Sequence, residues 1–273
     1  MKCKYTCGYG TLITIFSFLV LVNINHIDVI HAQTTIPNFN IAAAGDWGCN
    51  SNTDKTVNSI KIQNPELILG LGDYSYESSA DCWLEALQPI YDLQSNPNAN
   101  NMQISIGNHE NSDSEDFDTY INSFSLTRQF GQVYSFNIHN VHFLSMATEI
   151  SYSTGSSQNV FVKNDLAAAA ANPKIDWIIV YFHKPMYSSP SSCSSCSGET
   201  SLRDIYHPIF DEYGVDIVLE GHTHDYQRSY PIKFNPNSKS NPTITDTNRI
   251  NYIDPAGEIY AIVGTGGVNF HSL

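Results

Sequence analysis

Residue types that bind metal ions recur in five short stretches of the chain. The stretches are Gly45-Asp46-Trp47-Gly48, Gly72-Asp73-Tyr74-Ser75-Tyr76, Gly107-Asn108-His109-Glu110, Val180-Tyr181-Phe182-His183 and Gly221-His222-Thr223-His224. Their candidate ligands comprise two Asp, one Tyr, one Asn and three His: Asp46, Asp73, Tyr76, Asn108, His183, His222 and His224. This set is too large for one ion and suits two. A pair of metal ions is a recurrent device for cleaving phosphate esters.

The donor types indicate which ions such a site would take. Carboxylate and amide oxygens are hard donors, and imidazole suits divalent iron, zinc and manganese, whereas a phenolate such as that of Tyr76 favours a trivalent ion such as Fe(III). A carboxylate between two cations can bridge them, with the ions roughly 3.5–4 Å apart. Water bound to such ions has a lowered pKa and becomes a nucleophile at modest pH. His109, next to Asn108, is then expected to protonate the leaving alkoxide.

Each stretch alone has a simpler explanation. A Gly-Asp pair after a strand is more often a turn, Asn108-His109 is compatible with a capped turn, and an isolated His183 would more often be a buried, hydrogen-bonded histidine. His222 and His224 are a better pair of ligands because alternate residues of an extended segment point the same way. The five stretches in order, each after a predicted strand, favour one shared metal site.

The elements that must position these residues follow from the apolar pattern. Predicted strands cover residues 39–44, 66–71, 102–106, 133–138, 141–147, 175–182, 215–219 and 258–263. Predicted helices cover residues 53–63, 80–94, 161–171 and 200–213, with Asn52 or Thr53 capping the first, Pro89 kinking the second and Gly214 ending the fourth. A long surface loop is predicted at 234–256. The alternation predicts an α/β domain with a mixed sheet or two packed sheets, whose ligands gather at the carboxyl ends of strands.

Composition and charge limit the partners. The chain has 273 residues, 41% of them hydrophobic, which suffices for one large domain with a core or two small ones. Its 13 Phe and 16 Tyr exclude a disordered acidic chain. The net charge of -14 argues against nucleic acid as the main partner. An anionic substrate must therefore be attracted by a local positive site, which metal ions can supply.

The first residues predict export. Lys2 and Lys4 precede an apolar run from Leu12 to Ile24, and Ala32 offers a small residue for cleavage. We therefore expect a signal peptide at residues 1–32 and a single catalytic domain at 33–273 in a secreted or extracytoplasmic protein. The alternative is an uncleaved anchor that keeps the protein at the cell surface, although the run is short for a membrane span. No second apolar run of spanning length follows.

The cysteines fit an exported chain. Of six Cys, two lie in the predicted signal, which leaves Cys49, Cys82, Cys193 and Cys196. A bridge between Cys49 and Cys82 would join two neighbouring ligand loops, and Cys193 with Cys196 could close a small local ring. The alternative is a zinc site built from all four, which is disfavoured because only one pair has short ligand spacing.

The series Gly-Asp-x-Gly, Gly-Asp-x-x-Tyr, Gly-Asn-His-Glu, Val-x-x-His and Gly-His-x-His resembles the calcineurin-like metallophosphoesterase superfamily. The tyrosine of the second motif narrows the resemblance to the purple acid phosphatases. It extends from about Asn40 to Gly267. It implies two packed mixed β-sheets flanked by helices, the four-layer α/β/β/α metallophosphoesterase fold. It also implies an exported binuclear-metal acid phosphatase that hydrolyses small phosphate monoesters, with a metal-bound hydroxide as the attacking group.

The resemblance implies a role for each residue. The residues that would hold Fe(III) are Asp46, Tyr76 and His224. Those that would hold a divalent iron, zinc or manganese are Asn108, His183 and His222. Asp73 would bridge the two ions, and His109 would be the outer acid or would orient the substrate.

Two alternative functions remain beside the acid phosphatase. The same metal pair would also serve a phosphodiesterase or nucleotide hydrolase, and a non-catalytic secreted metal-binding protein is the third hypothesis. His109 argues against the third, because a binder does not need that acid.

The chain departs from the family pattern at one position. The family usually carries another histidine shortly after Val-x-x-His, and residues 184–200 contain none. We expect Lys184, Tyr187 or a serine to substitute, since His207 falls inside a predicted helix.

Overall fold

The computed structural model describes residues 39–77, 81–90, 102–112, 133–189 and 198–271. The strands in these ranges are β1 (Ile41–Ala44), β2 (Leu67–Leu71), β3 (Met102–Ser105), β4 (Tyr134–Ile138), β5 (Val141–Ser145), β6 (Trp177–Tyr181), β7 (Ile217–Glu220), β8 (Tyr226–Arg228), β9 (Ile232–Lys233), β10 (Thr243–Ile244) and β11 (Ile259–Val263). The helices are α1 (Ser51–Gln63), α2 (Asp81–Leu87), α3 (Asn108–Ser112), α4 (Ser157–Ala170) and α5 (Thr200–Tyr213).

The strands form two main sheets. The first has the order β1-β2-β3 and is parallel. The second has the order β4-β5-β6-β7-β11-β8, in which the four inner strands are parallel and the two edge strands, β4 and β8, are antiparallel. Helices α4 and α5 make the crossovers from β5 to β6 and from β6 to β7 that parallel neighbours require.

The two sheets pack face to face through alternate residues of their strands. Leu67, Leu69 and Leu71 of β2 lie in one cluster with Phe143 of β5 and Tyr181 of β6. The other face of β2 packs on helices, where Ile68 shares a cluster with residues of α1 and α2. The continuous apolar run Leu-Ile-Leu-Gly-Leu is therefore explained by burial of β2 on both faces.

The outer face of the second sheet is covered by α4 and α5. Leu144 and Val180 of the sheet pack with Val162 of α4 and with Tyr206 and Phe210 of α5. The resulting order is helices, sheet, sheet, helices. The four-layer α/β/β/α fold predicted from the sequence is thus confirmed.

The helix boundaries differ from the prediction where a cap was misassigned. The cap of α1 is Asn50, whose side chain accepts a hydrogen bond from the Asn52 N–H at 2.7 Å, so the predicted caps Asn52 and Thr53 are wrong. Helix α4 begins at Ser157 because the Ser156 side chain accepts from the Asn159 N–H at 3.2 Å. This start is four residues before the predicted one.

Pro89 does not kink a helix. Helix α2 ends at Leu87, two residues before the proline, so the predicted kink is wrong. The rest of the predicted second helix, residues 91–94, lies outside the described residues. Helix α5 has the predicted bounds and ends at Gly214, whose left-handed conformation (φ 67°) closes the helix.

The hairpin and the surface loop form largely as expected. Strands β4 and β5 pair antiparallel around a turn in which His139 has φ 54°. Within residues 234–256, the short strand β10 pairs with β9, and the remainder is irregular.

The predicted signal peptide lies in residues 1–32, outside the described residues, and stays a prediction. Within the described ranges, none of the helices combines the length and the apolar character that a membrane crossing demands.

A disulfide joins the loop after β1 to the start of α2. Cys49 and Cys82 are bridged with a Cα–Cα distance of 5.7 Å. The cysteine positions favoured this bridge, with a zinc site built from all four cysteines as the alternative. Cys193 and Cys196 lie outside the described residues, so their small ring stays a prediction.

Replacing both bridged cysteines, as Cys49→Ser with Cys82→Ser, is expected to lower the free energy of unfolding by about 3–4 kcal/mol. The reason is that the bridge closes a long loop, with a sequence separation of 33, and so restricts the unfolded chain. The measurement is guanidinium unfolding under non-reducing conditions. Cys193→Ser with Cys196→Ser is the matched control, because any ring it removes is short and its loss is smaller. Equal midpoints for wild type and the first variant would contradict the expectation.

Candidate metal centre

The five sequence stretches lie at the carboxyl ends of parallel strands. Asp46, Asp73 and Asn108 follow β1, β2 and β3 of the first sheet, and His183 and His222 follow β6 and β7 of the second. Backbone hydrogen bonds hold these strand ends together, both between the two sheets and within the first sheet. The Gly45 N–H donates to the Val263 carbonyl at 3.0 Å, and the Asp46 N–H donates to the Gly72 carbonyl at 3.0 Å. Both sheets therefore contribute side chains to one place.

Three of the candidate ligands have an unusual backbone conformation. Asp46, Asp73 and His222 have φ angles of 61°, 51° and 67°. This left-handed region is uncommon for residues with a side chain, and each instance costs roughly 1–3 kcal/mol. Each of the three residues lies two positions after the end of a strand and directly follows a glycine. The sharp turn brings the ligand side chain back over the strand end.

Glycine is required where two of these loops touch. A Cβ at Gly107 would overlap the carboxylate of Asp73, and a Cβ at Gly221 would lie 2.8 Å from the Leu71 carbonyl and 3.0 Å from Asp46 Oδ2. The glycines of the third and fifth stretches therefore permit the close approach of ligand loops.

One set of donor atoms surrounds His183. Its Nε2 lies 3.2 Å from Asp73 Oδ2, 3.2 Å from Asn108 Oδ1 and 3.2 Å from His222 Nδ1. Its other nitrogen, Nδ1, lies 2.8 Å from the Leu71 carbonyl. A carbonyl accepts, so Nδ1 carries the hydrogen, and Nε2 is directed at the set. This is the arrangement by which metal-binding histidines are oriented.

A second set surrounds the phenol of Tyr76. Its hydroxyl lies 3.1 Å from Asp46 Oδ1, 3.3 Å from Asp73 Oδ2 and 2.8 Å from His224 Nε2. The His224 Nδ1 lies 3.1 Å from the Asn269 carbonyl, so this ring is oriented in the same way as that of His183. The oxygen Asp73 Oδ2 belongs to both sets. All seven candidate ligands are thus brought together in two groups that share one oxygen, and this donor set fits a pair of metal ions.

Burial and mutual repulsion dominate the electrostatics. Burial raises the pKa of Asp46 to about 7, with a further contribution from Asp73. Burial acts in the same direction on Asp73, but the neighbouring His183 and the hydrogen bonds to the carboxylate outweigh it and hold the pKa of Asp73 below its usual range. The pKa of Tyr76 is raised by burial and by both carboxylates. Cations at this place would relieve that repulsion and lower the pKa of Asp46 and of Tyr76.

His109 lies at the rim of the site. Its side chain is 39% exposed, and its ring packs against Tyr76 with the ring centroids 4.2 Å apart. Its backbone N–H donates to Asp73 Oδ1 at 2.9 Å. The ring is therefore both near the ligands and open to solvent, as a proton donor to a leaving group must be.

Glu110 has a role that the sequence did not reveal. It is buried, and its carboxylate accepts hydrogen bonds from three backbone N–H groups: Asp73 at 2.9 Å, Tyr74 at 2.7 Å and Gly107 at 2.9 Å. It thereby ties the loop of Asp73 to the loop of Asn108. The only signal was its place as the fourth residue of Gly-Asn-His-Glu.

His271 is a second residue that sequence reasoning missed. Its ring stacks on His224, with centroids 4.0 Å apart and an interplanar angle of 13°. Its backbone N–H donates to the His224 carbonyl at 3.1 Å, and its Nδ1 accepts from the His224 N–H at 3.2 Å. The two histidines are 47 positions apart, so no local pattern pairs them.

Two of the residues expected to replace the absent family histidine, Lys184 and Tyr187, are engaged with other groups, and the serines of residues 190–197 lie outside the described residues. Lys184 pairs with Glu149 at 2.9 Å, and the Tyr187 hydroxyl lies 2.7 Å from His207 Nδ1. His207 is itself buried within α5, as predicted. Besides His109, which packs against Tyr76, His271 also places its imidazole directly against a candidate ligand, His224.

The variant Glu110→Gln is expected to lower the free energy of unfolding by about 2–4 kcal/mol. An amide retains only one acceptor oxygen, so at least one buried N–H loses its partner. Urea unfolding measures the change. Glu85→Gln, an exposed change of the same type on α2, is the control and should stay near wild type. Equal stability of the two variants would exclude a tying role for Glu110.

Comparison with known proteins gives the family. Residues 39–226 match the family described as calcineurin-like phosphoesterase. Purple acid phosphatase 15 of Arabidopsis thaliana is 29% identical over 263 residues, covering 83% of this chain and 44% of that protein. Acid phosphatase type 7 of Homo sapiens is 26% identical, covering 83% of this chain and 54% of that protein. The chain thus spans about half the length of these relatives.

Solved structures share the fold. A purple acid phosphatase, PPD1, from yellow lupin seeds superposes with a TM-score of 0.66 at 21% identity, covering 85% of this chain and 45% of that one. A dimetal phosphatase from Danio rerio gives a TM-score of 0.55 at 11% identity, covering 85% and 90%. The resemblance predicted from the motifs is confirmed, and the chain belongs to the calcineurin-like phosphoesterase family.

Proposed function

We propose that this protein is a binuclear-metal acid phosphatase that hydrolyses small phosphate monoesters. The observation that carries the proposal is the convergence of seven candidate ligands into two sets that share Asp73 Oδ2. Relatives named as purple acid phosphatases and acid phosphatases support it. The acidic chain, with a net charge of -14, needs a local positive site to attract an anionic substrate.

The two sets differ in chemistry, and so do the ions we assign to them. The set with the phenol, comprising Asp46, Tyr76 and His224, suits Fe(III). The set comprising Asn108, His183 and His222 suits a divalent ion, iron, zinc or manganese. Asp73 faces both sets and would bridge them. When bound, the ions would polarise the phosphoryl group and lower the pKa of a coordinated water.

The remaining chemistry belongs to the protein. His109 would deliver a proton to the leaving oxygen, for which its partial exposure and its place beside Tyr76 suit it. Glu110 would keep the loops of Asp73 and Asn108 at a fixed separation through its three backbone contacts.

Export completes the proposal. Lys2 and Lys4 before the run from Leu12 to Ile24, with Ala32 as a cleavage residue, support removal of residues 1–32 and secretion of a catalytic domain at 33–273. The Cys49–Cys82 bridge agrees with an oxidising compartment. Mass spectrometry of the protein from culture medium would show whether the chain begins at residue 33. A full-length chain held in the membrane fraction would instead support an anchor.

The variant Tyr76→Phe is expected to lose visible colour. A phenolate bound to Fe(III) absorbs visible light, whereas phenylalanine cannot ligate. The measurement is an absorption spectrum together with iron analysis on purified, iron-loaded protein. Tyr226→Phe, at an exposed tyrosine of β8, is the matched control and should keep the band. A colourless iron-loaded wild type would count against Tyr76 as a ligand.

Rates on a monoester and a diester of the same phenol test the reaction class. We expect the monoester to be hydrolysed faster, most rapidly in acid, and Asp73→Ala to abolish turnover and lose at least one metal because both sets lose a donor. Asp176→Ala, which removes an exposed carboxylate near Asn140, is the control. A faster diester rate would replace the proposal by a phosphodiesterase. No turnover with both metals loaded would favour a binding protein.

A further inference from the structure

A second group of ligand-type side chains lies on the outer side of the second sheet. His207 and Asp211 stand four residues apart on α5, so they share one face of the helix. Glu258 immediately precedes β11. One ligand atom from each of the three residues lies within 4.8 Å of the others.

This cluster is separate from the candidate metal centre. Glu258 stands before the first residue of β11, whereas Val263 at the last residue bonds the loop of Asp46. A strand rises about 3.3 Å per residue, so roughly 16 Å of β11 lies between the two places. No residue of the cluster belongs to the two donor sets described above.

The imidazole of His207 is held by contacts on both nitrogens. Its Nε2 lies 3.2 Å from Glu258 Oε2, and its Nδ1 lies 2.7 Å from the Tyr187 hydroxyl. The ring also contacts the Ile232 carbonyl, and in the tautomer in which Nδ1–H donates to Tyr187 the lone pair of Nε2 faces the carboxylates. His207 and Glu258 are both fully buried, whereas Asp211 is partly exposed and leaves a route to solvent.

Two carboxylate oxygens in the cluster lack a partner. Within the described part of the chain, Glu258 Oε1 and Asp211 Oδ1 are buried and accept no hydrogen bond from other residues, although the two carboxyl groups lie within hydrogen-bonding reach of each other. The other Asp211 oxygen accepts from the Phe234 N–H at 2.9 Å, so the residue is oriented while one oxygen stays unused. Leaving a buried polar atom unsatisfied costs about 1–3 kcal/mol, more for a charged group.

The charges around the cluster compensate these carboxylates only in part, through Lys233, which acts on Glu258. Burial lowers the pKa of His207 to about 4, so its imidazole is neutral. Burial and the adjacent Asp211 raise the pKa of Glu258 to about 9. Arg203 pairs with Asp204 at 2.9 Å. Either a proton shared between the two acids or a bound cation would satisfy both oxygens. A cation would in addition be coordinated by the imidazole of His207.

We propose that His207, Asp211 and Glu258 bind one divalent cation, best matched by Zn²⁺. One imidazole nitrogen and two carboxylate oxygens are a ligand set that zinc accepts, with a fourth position for water. The ion would join α5 to the strand that leads to the loop of Asp46. It would also fix the imidazole ring of His207, which Tyr187 contacts. Tyr187 in turn lies four residues after His183 along the chain. We assign it a structural role that does not depend on the proposed phosphatase activity.

The test counts zinc ions in a protein whose main centre is disabled. Asp73→Ala with His222→Ala removes a donor from both sets of that centre. After zinc loading and dialysis, this protein should retain one equivalent of zinc, and adding Asp211→Asn with Glu258→Gln should remove it. Adding Glu212→Gln instead, at the exposed neighbour on α5, should leave it in place.

A thermal shift gives an independent readout. In the disabled protein, zinc at a hundredfold excess over its Kd should raise the melting temperature by roughly 5–10 °C. The shift should vanish with Asp211→Asn, a milder variant that serves if Glu258→Gln does not fold. Equal zinc content with and without the Asp211 and Glu258 changes would refute the site, as would the absence of any shift. Those results would indicate a shared proton. Failure of the phosphatase proposal would instead appear in the protein with an intact main centre, as no activity although the His207, Asp211 and Glu258 site still binds its zinc.

Discussion

The carboxylate of Asp73 is the contact on which the rest of the site depends. Its Oδ2 lies within 3.3 Å of both His183 Nε2 and the Tyr76 hydroxyl, so it touches both donor sets. Its Oδ1 accepts from the His109 N–H, and its own N–H is held by Glu110. One side chain thereby fixes the relation between the two sets. In the binuclear centre that we propose, this carboxylate would be a donor to both ions.

The fold supplies the environment of Asp73 by packing two sheets face to face, with the carboxyl ends of their strands side by side. The parallel strands of each sheet end on the same side, and backbone bonds such as that from Gly45 to Val263 join the ends across the layers. Face-to-face packing of Leu69 and Phe143 holds the sheets in register beneath the site. The outer helices stabilise the arrangement without contributing to the seven candidate ligands.

Much of this was predictable from the sequence, for identifiable reasons. Helix α5 was predicted with its observed bounds because an amphipathic run ends in Gly214, a strong local signal. The cap of α1 was misassigned because several adjacent polar residues are suitable caps. Asn50 is the cap in the structure because its backbone is extended and its side chain accepts from the Asn52 N–H. Glu110 and His271 act through contacts with distant loops. Such contacts depend on tertiary packing, which spacing along the chain does not encode.

Because Asp46 and Asp73 are in the left-handed conformation, the charge of the site can change while its shape stays the same. Among residues with side chains, asparagine and aspartate enter this region most readily. An exchange between them would change the local charge by one unit and leave the turn intact, whereas a β-branched residue would disrupt the turn itself. Single substitutions at these two positions would therefore alter the charge that the site presents to a bound ion. The turns that give the site its shape would stay as they are.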